Sequence, residues 1–336
     1  MRQRRRAGTT ALAGLVALST AAAALTGCGP DSDTTSERET VTMGIMPWIG
    51  YAPWYIADRK GFFTELGIDV EFVNFQQDTE RNTALFGGKT DVTNLDAGHI
   101  IQFAEKRRPV TPILYEDASV GADAILAAKS IRRAEQLRGR RVAYERGTTS
   151  DLLLHHYLLK SGIPFGDIRS DDVLAADAGA LIAEGKTRVA VTYEPYITEA
   201  TGGGRARDVH VLYDSAESPG LISDFLVANA GWLKGHQKEA GKLVAAWNKA
   251  IAFYRSDRTE AVEIMAEAAG TKPEDLTSTL RGVRLYSGAE NKKLIASGEL
   301  SRIYRSIAQT MTAMGAVTHP ADLSRVADFR AVTGRG

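Results

Sequence analysis

The first clear pattern of hydrophobic and polar positions runs over residues 41–75. An apolar run at residues 41–46 predicts a strand, and the loop that follows it carries two aromatic residues. Pro53 suits the first position of a helix, and Gly61 can take the left-handed conformation that ends one. Residues 69–73 then alternate polar and apolar positions, as a half-buried strand does. The stretch predicts a βαβ unit whose first loop lies where open α/β sheets bind ligands.

Strand and helix patterns continue to alternate up to Gly231, after which nearly all of the chain has helical periodicity. Further strands are predicted at residues 91–95, 110–115, 122–128, 142–145, 188–192, 209–213 and 223–228, and helices at residues 78–86, 151–161, 178–184 and from residue 96 onward. This order predicts an α/β fold of two lobes, with residues 41–122 and 226–336 in lobe 1 and residues 123–225 inserted as lobe 2. Chain crossings near Asp123 and Asp224 would form a double hinge beside a ligand cleft.

Residues 1–27 are a predicted targeting segment. Four arginines precede an apolar run at residues 11–25 that is too short and too rich in alanine for a convincing membrane-spanning helix. The run ends in LTGC, which resembles a bacterial lipobox, so we expect Cys28 to be lipidated and to anchor the protein to the cell membrane. An ordinary secretory signal is the alternative, and the export route, general secretory or twin-arginine, stays open. Residues 28–40 predict a flexible tether.

Composition and motifs narrow the function classes. The formal net charge of the chain is zero, and because residues 1–27 hold four arginines and no acid, the remainder carries −4. A mildly acidic body gives no electrostatic reason to expect nucleic-acid binding. His155 and His156 are adjacent and point about 100° apart on a helix, so they do not share a metal as an i, i+4 pair does. Hydrolase, P-loop and dinucleotide motifs are absent from the sequence, and we predict no catalytic residue, metal or cofactor.

Aromatic residues form the first candidate for a ligand site. Trp48 and Tyr51 lie in the loop after the first predicted strand, where their ring faces can pack on a planar ligand or hold a cation. Trp54 and Tyr55 in the following helix either belong to the same site or only pack the helix onto the sheet.

The second candidate is the start of a predicted helix after Gly147. Backbone N–H groups at a helix start, together with the hydroxyls of Thr148, Thr149 and Ser150, suit a carboxylate, sulfonate or phosphate. The alternative is simple capping, because Asp151 places a negative charge where a ligand anion would otherwise bind.

Acidic residues form the third candidate. Asp96, Asp123, Glu194 and Asp224 fall at the carboxyl ends of predicted strands or on the crossings. Several carboxylates around one cleft suit an amine, an amidine-like ring edge or a cation, and would repel nitrate. Each acid taken alone is better explained as a cap or a hinge hydrogen bond than as a ligand contact. Glu194 beside Tyr193 is the strongest candidate, and we expect these two to face the aromatic loop across the cleft.

Several segments, taken in order, resemble one protein family. They are GYAPWYIADRKGFFTELGIDVEFV at residues 50–73, GGKTD at 87–91, VAYERGTTSDLLL at 142–154, EGKTRVAVTYEPY at 184–196 and the apolar segment at 221–227. With them the chain resembles the solute-binding proteins of bacterial ABC importers of the nitrate, sulfonate and taurine class, which are related to the thiamine-pyrimidine precursor binders. Lys186 and its neighbours depart from the family, which usually has an acid before this strand.

The resemblance implies a type II periplasmic-binding fold, an extracytoplasmic location and delivery of the ligand to an ABC permease and its ATPase. It also implies binding without catalysis, since the related pyrimidine synthases depend on a cysteine-rich motif and this chain has Cys28 alone. Two ligand classes stay open: taurine or another sulfonate or zwitterion, and an aminopyrimidine or related nitrogen heterocycle. A sensor lipoprotein without a transport role is a further alternative, and we expect a monomer.

Overall fold

The computed structural model describes residues 38–202 and 208–334. The predicted targeting segment, the lipidation site Cys28 and most of the predicted tether lie outside the described residues. The tether prediction extends too far, because the first strand begins at Glu39 and the Nε of Arg38 lies 3.1 Å from Oδ2 of Asp69. Within the described ranges, helices long and apolar enough to span a membrane do not occur.

Two sheets organise the described chain. Their strands are β1 (Glu39–Ile45), β2 (Ile68–Asn74), β3 (Val92–Asp96), β4 (Val110–Ser119), β5 (Asp123–Ala128), β6 (Arg141–Tyr144), β7 (Arg169–Asp172), β8 (Val189–Tyr193), β9 (Val209–Asp214), β10 (Ser223–Asn229) and β11 (Val283–Leu285). The larger sheet has the order β11-β4-β10-β3-β1-β2 and the smaller sheet β7-β6-β8-β5-β9. β1 is parallel to β2, which confirms the predicted βαβ unit, and β10 runs antiparallel between β3 and β4.

The chain passes between the two sheets twice. The first passage lies between Ser119, the last residue of β4, and Asp123, the first residue of β5. The second lies between Asp214, which ends β9, and Ser223, which begins β10. Because β10 pairs with the larger sheet from Ser223 onward, the second passage precedes the predicted lobe boundary at residue 226.

Helices cover the sheets, mostly in the second half of the chain. They are α1 (Pro53–Arg59), α2 (Phe62–Glu65), α3 (Asp78–Phe86), α4 (Ala97–Glu105), α5 (Thr149–Lys160), α6 (Ala175–Ala183), α7 (Tyr196–Gly202), α8 (Ala230–Leu233), α9 (Gln237–Ser256), α10 (Arg258–Ala269), α11 (Pro273–Thr279), α12 (Gly288–Ala296), α13 (Glu299–Ala313), α14 (Leu323–Val326) and α15 (Arg330–Thr333). The helix predictions at residues 78–86, 151–161 and 178–184 are confirmed with small shifts of their ends.

Trp54 belongs to the core. Its side chain is fully buried, its ring centroid lies 4.9 Å from that of Trp247 on α9, and its Nε1 donates to Oε1 of Glu116 at 2.6 Å. These contacts hold α1 against the larger sheet and thereby position the loop between β1 and α1. Of the two alternatives for Trp54, packing is therefore the one that the structure shows.

Two strand predictions failed where strands carry acids. β4 was predicted to end at residue 115, yet it continues through Glu116 and Asp117, which are fully buried in the larger sheet. An ionised carboxylate is costly to bury, so consecutive acidic residues in a sequence predict a turn. For this reason the sequence did not indicate that β4 continues through these two acids. β7 escaped prediction for a related reason, since its residues are Arg-Ser-Asp-Asp and it pairs only with β6 at the edge of the smaller sheet.

Candidate ligand-binding site

Three aspartates on neighbouring strands lie side by side at the edge of the larger sheet. Asp96 ends β3, Asp224 lies in β10 and Asp117 lies in β4. Asp224 is the register partner of both of the others, and residues directly opposite on paired strands place their side chains on the same face. Asp96 is 9% exposed, Asp224 4% and Asp117 0%. We call these three residues the aspartate row.

The smaller sheet faces the aspartate row with residues from the ends of its own strands. Asp123 begins β5, Glu145 follows β6, Thr148 and Thr149 begin α5, and Tyr193 ends β8. Together the two sheets enclose a cavity of about 80 Å³, which we call the acidic cavity. Eight of the predicted ligand residues line it: Trp48, Tyr51, Asp96, Asp123, Thr148, Thr149, Tyr193 and Asp224.

The aromatic loop joins the aspartate row to the opposite wall. The Nε1 of Trp48 donates to Oδ1 of Asp117 at 3.1 Å, and the hydroxyl of Tyr51 donates to Oδ1 of Asp224 at 2.7 Å. Trp48 also meets the ring of Tyr193 edge to face, with 5.9 Å between ring centroids. The loop can approach so closely because residue 50 is glycine: a Cβ there would lie 2.4 Å from both Oδ2 of Asp117 and Nε1 of Trp48.

Burial and mutual repulsion shift the acids toward their neutral forms. Burial, aided by the charges of Asp96 and Asp123, raises the pKa of Asp224 to about 8. Burial, with Asp96 and Glu194 nearby, raises the pKa of Asp123 to about 7, and burial beside Asp224 raises the pKa of Asp117 well above its ordinary value. Burying these carboxyls costs less when they are protonated, and a bound cation would displace the protons.

Asp96 differs from the other members of the aspartate row. Burial alone would raise its pKa, but the charge of His99 and hydrogen bonds from the His99 ring and backbone N–H hold it at about 2. The carboxylate caps α4, as the sequence predicted from its position before the helix. Asp96 is therefore the permanently charged end of the row, and its charge helps to raise the pKa of Asp224.

Two carboxyl oxygens in the site retain unused hydrogen-bonding capacity. Among the described residues, nothing supplies a hydrogen bond to the buried Oδ2 of Asp117 or of Asp123. One of these oxygens comes from each sheet, and a buried acceptor without a partner costs about 1 to 3 kcal/mol. Asp123 lines the acidic cavity, so a ligand there that donates a hydrogen bond to its Oδ2 would recover part of that free energy, whereas Asp117 does not line the cavity.

The helix-start candidate is capped from within the protein. The backbone N–H of Gly147 donates to Oδ2 of Asp151 at 2.9 Å, and the N–H of Ser150 donates to the hydroxyl of Thr148 at 3.3 Å. Ser150 is buried and does not line the acidic cavity. The capping alternative thus describes this segment, while the side chains of Thr148 and Thr149 still reach the cavity.

Glu194, the strongest acidic candidate from sequence, requires a correction. Its carboxylate accepts hydrogen bonds from the N–H and the hydroxyl of Thr198, each at 3.0 Å, and it does not line the acidic cavity. Its position at the end of β8 was predicted correctly, but the chain turns there and directs the side chain to the start of α7.

Replacing Glu194 with glutamine should therefore change ligand affinity by less than about threefold, in contrast to the loss of about 1.5 to 3 kcal/mol expected for a charged hydrogen bond to ligand. Glutamine retains an oxygen that can accept from the Thr198 N–H, so the melting temperature should fall only slightly. Isothermal titration calorimetry with any ligand that binds the wild type measures the affinity. A tenfold loss of ligand affinity in a folded variant would show that Glu194 contacts the ligand after all.

Sequence reasoning missed Arg81 and Glu145. Arg81 lies on α3, is 3% exposed, and its Nη2 is 2.5 Å from Oδ1 of Asp78. Among the described residues that line the acidic cavity, Arg81 is the only basic one. The three-residue spacing of Asp78 and Arg81 on a predicted helix was a usable signal, but such a pair more often lies on a solvated face. In the described ranges, the acidic cavity included, no three His, Cys, Asp or Glu side chains are arranged to hold a metal ion.

Comparisons with known proteins identify the family to which the chain belongs. A family model described as NMT1/THI5 like matches residues 48–261, more than half of the chain. A putative aliphatic sulfonates-binding protein of Escherichia coli is 28% identical over 167 residues, covering 47% of this chain and 49% of the relative, so the match spans about half of that protein's length. The riboflavin-binding protein RibY of Chloroflexus aurantiacus is 26% identical over 257 residues, covering 73% and 70% of the two chains.

Solved structures extend the likeness to the whole fold. The periplasmic aliphatic sulphonate binding protein SsuA from Escherichia coli matches with a TM-score of 0.71 at 19% identity, covering 88% of this chain and 99% of that one. The two-sheet fold is thus that of periplasmic binding proteins, and the chain belongs to the NMT1/THI5-like family.

Proposed function

We propose that the protein is the extracytoplasmic solute-binding component of an ABC importer, held to the membrane by a lipid at Cys28. The family, the fold and relatives named as binding proteins support this role. Such a protein acts by closing its two lobes around the ligand, because the closed form has the higher affinity for the ligand. Catalysis has no part in this role. In this proposal the lobes correspond to the two sheets, and the closed monomer presents its ligand to the permease and its ATPase.

The aspartate row is the observation that best indicates the ligand. The acids that line the cavity are Asp78, Asp96 and Asp224 on the larger sheet's side and Asp123 and Glu145 on the smaller sheet's side, and Arg81 is the only described base among the lining residues. Such a site favours a ligand with an amine or another positively charged, donor-rich group. A zwitterion such as taurine would place its amine at the row and its sulfonate near Arg81.

An aminopyrimidine is the second candidate, and the aromatic walls favour it. The ring of Trp48 from one wall and that of Tyr193 from the other both line the cavity. A planar ring can stack on either of them while its amino group donates to a carboxylate. Both candidates share the amine, so the amine is the part of the ligand that the geometry supports.

Like charges across the cleft explain how such a ligand would drive closure. Burial raises the pKa of Glu145, and the charge of Asp78 on the other side of the cavity raises it further. Without a cation, closing the cleft brings these carboxyls together at a cost. A bound amine would reverse the sign of that interaction, which gives the ligand the differential affinity for the closed state that closure requires.

A thermal-shift panel tests the proposed function with one matched pair at its centre. Taurine and ethanesulfonate differ by the amine, so we expect taurine to raise the melting temperature and ethanesulfonate to leave it unchanged. An aminopyrimidine, nitrate and riboflavin complete the panel, and a ligand at about 100 times its Kd should stabilise the fold by about 2.7 kcal/mol. Small-angle scattering then reports closure. If ethanesulfonate or nitrate raises the melting temperature and no amine does, the proposed ligand class is wrong. If no ligand of the panel changes the melting temperature, the proposed function is contradicted.

A further inference from the structure

A second, larger cavity adjoins the acidic cavity. It has a volume of about 500 Å³ and shares Met46, Trp48 and Gln76 with the acidic cavity as common walls. The remaining walls come from both sides of the cleft: Tyr55 and Phe75 belong to the larger sheet's side, and Tyr196 begins α7 on the smaller sheet's side. We call this space the side chamber.

The two cavities differ in size in a way that matters for the ligand. Sites for small organic molecules usually enclose about 300 to 1,000 Å³. The acidic cavity, at about 80 Å³, holds a charged group of a few atoms, whereas the side chamber at about 500 Å³ holds the body of an organic molecule. A ligand with a ring or another bulky body therefore has room for that body only if it extends past Trp48.

The two cavities also differ in chemistry. Carboxyls dominate the acidic cavity, while Ile49, Ala52 and Leu276 present buried apolar surface to the side chamber. The acids of the side chamber, Glu199 and Asp275, are exposed at its rim. A molecule that fits both spaces carries its positive charge at one end and apolar surface at the other.

Trp48 stands at the junction of the two spaces. It lines both cavities, is fastened to the aspartate row through Asp117, and touches Tyr193 across the cleft. An indole face beside a desolvated ammonium group contributes a cation–π attraction, and its edge offers apolar surface to a ligand body. The side chain is thus suited to contact a ligand where its charged end joins its apolar part.

We propose that the acidic cavity and the side chamber form one two-part site for an amphipathic organic cation, whose ammonium group lies at the aspartate row and whose apolar or aromatic body fills the side chamber. This inference rests on the proposed function and narrows its ligand class. Because the side chamber is lined from both sides of the cleft, the body of the ligand would stabilise closure in addition to its charge.

The test is a titration series in which charge and body vary separately. Ethylamine carries the charge alone, 2-phenylethylamine carries charge and body, and 2-phenylethanol carries the body alone. Burying the added phenyl group should make 2-phenylethylamine bind at least about tenfold more tightly than ethylamine. 2-Phenylethanol should bind at least about tenfold more weakly than 2-phenylethylamine, since it leaves the carboxyls without a cation. Calorimetry, with displacement titrations for weak ligands, gives the Kd values.

A pair of variants locates the body. Ala269→Phe adds a large side chain at an exposed residue that lines the side chamber and should narrow the space for the body, so the affinity ratio of 2-phenylethylamine to ethylamine should fall to below about threefold. Ala289→Phe adds the same side chain at an exposed position of α12 that lines neither cavity and should keep the wild-type ratio.

Each outcome decides between the claims. Equal affinity for ethylamine and 2-phenylethylamine would overturn the two-part site while leaving an amine-binding function intact. Equal affinity for 2-phenylethanol and 2-phenylethylamine, or the same loss in both phenylalanine variants, would also overturn it. If no amine binds and the thermal-shift panel is silent as well, the solute-binding function itself fails.

Discussion

Replacing Asp224 with asparagine should weaken the binding of an amine-bearing ligand by about 1.5 to 3 kcal/mol, or roughly 10- to 150-fold. Asp224 is the middle member of the aspartate row, next to Asp96 on one side and Asp117 on the other. Asparagine keeps the shape and an oxygen that can accept from the Tyr51 hydroxyl, so the substitution removes mainly the negative charge. Calorimetry at pH 8.5 measures the change, because the carboxyl must be ionised to attract a cation.

We expect the Asp224→Asn variant to fold and to be no less stable than the wild type at high pH. The substitution removes a buried acid whose pKa burial raises to about 8, so above that pH the ligand-free variant should melt at or above the wild-type temperature. Asp214→Asn is the matched control, since Asp214 caps a turn through the Ala216 N–H and lines neither cavity. Undiminished affinity in a folded Asp224→Asn protein would remove the aspartate row from the binding site.

The ligand-free protein should lose stability as the pH rises from about 5 to 9. Burial raises the pKa of Asp123 to about 7 and those of Glu116 and Asp224 to about 8, above the ordinary values of the unfolded chain. The folded state therefore binds more protons than the unfolded state between about pH 4 and 8. The stabilisation is fully present below the unfolded pKa values and is lost as the pH passes the folded ones.

The size of this loss follows from the proton count. One excess bound proton changes the free energy of unfolding by about 1.4 kcal/mol per pH unit, so one acid that keeps its proton from about pH 5 to 8 accounts for a loss of about 4 kcal/mol. The acids interact and their separate contributions do not add, so we expect a total loss of at least about 4 kcal/mol over the range. Asp96 contributes in the opposite sense, but only in acid, since its pKa of about 2 lies below the range.

Urea denaturation at several pH values measures the effect. Asp224→Asn should flatten the dependence, and a saturating amine ligand should flatten it as well, because a bound cation lowers the pKa values of the carboxyls around it. A free energy of unfolding that rises toward pH 9 in the ligand-free wild type would show that these acids are ionised in the folded state.

The helix starts, helix ends and caps were predictable from the sequence, because residues close in sequence determine them. Pro53 starts α1, Gly61 takes a positive φ of 70° after it, and Asp96 caps α4 through the N–H of His99. The alternation of strands with helices indicated an α/β protein, and the loops that follow strands indicated where a ligand site lies. The order of the segments was enough to identify the family.

The direction in which a side chain points was not predictable at the strand ends. Glu194 and Tyr193 are adjacent, yet Tyr193 lines the acidic cavity and Glu194 caps α7. Arg81 follows Asp78 by three residues, a spacing that is common in surface ion pairs, and only the packing of α3 beside the cleft makes it buried. A hydrophobic period of 3.6 residues in a helix, or of two in a strand, shows which side chains share a face. It does not show which other part of the chain packs against that face.

The sequence by itself determined that the protein has an α/β fold and belongs to its family, and it predicted acids at the carboxyl ends of strands, because periodicity, turns and caps are local. The tertiary structure decided which acids lie together. Asp96, Asp117 and Asp224 become neighbours through the register of three strands, two of them joined only by a long excursion of the chain through the smaller sheet. That register depends on the packing of both sheets, so no single segment contains the information that builds the aspartate row.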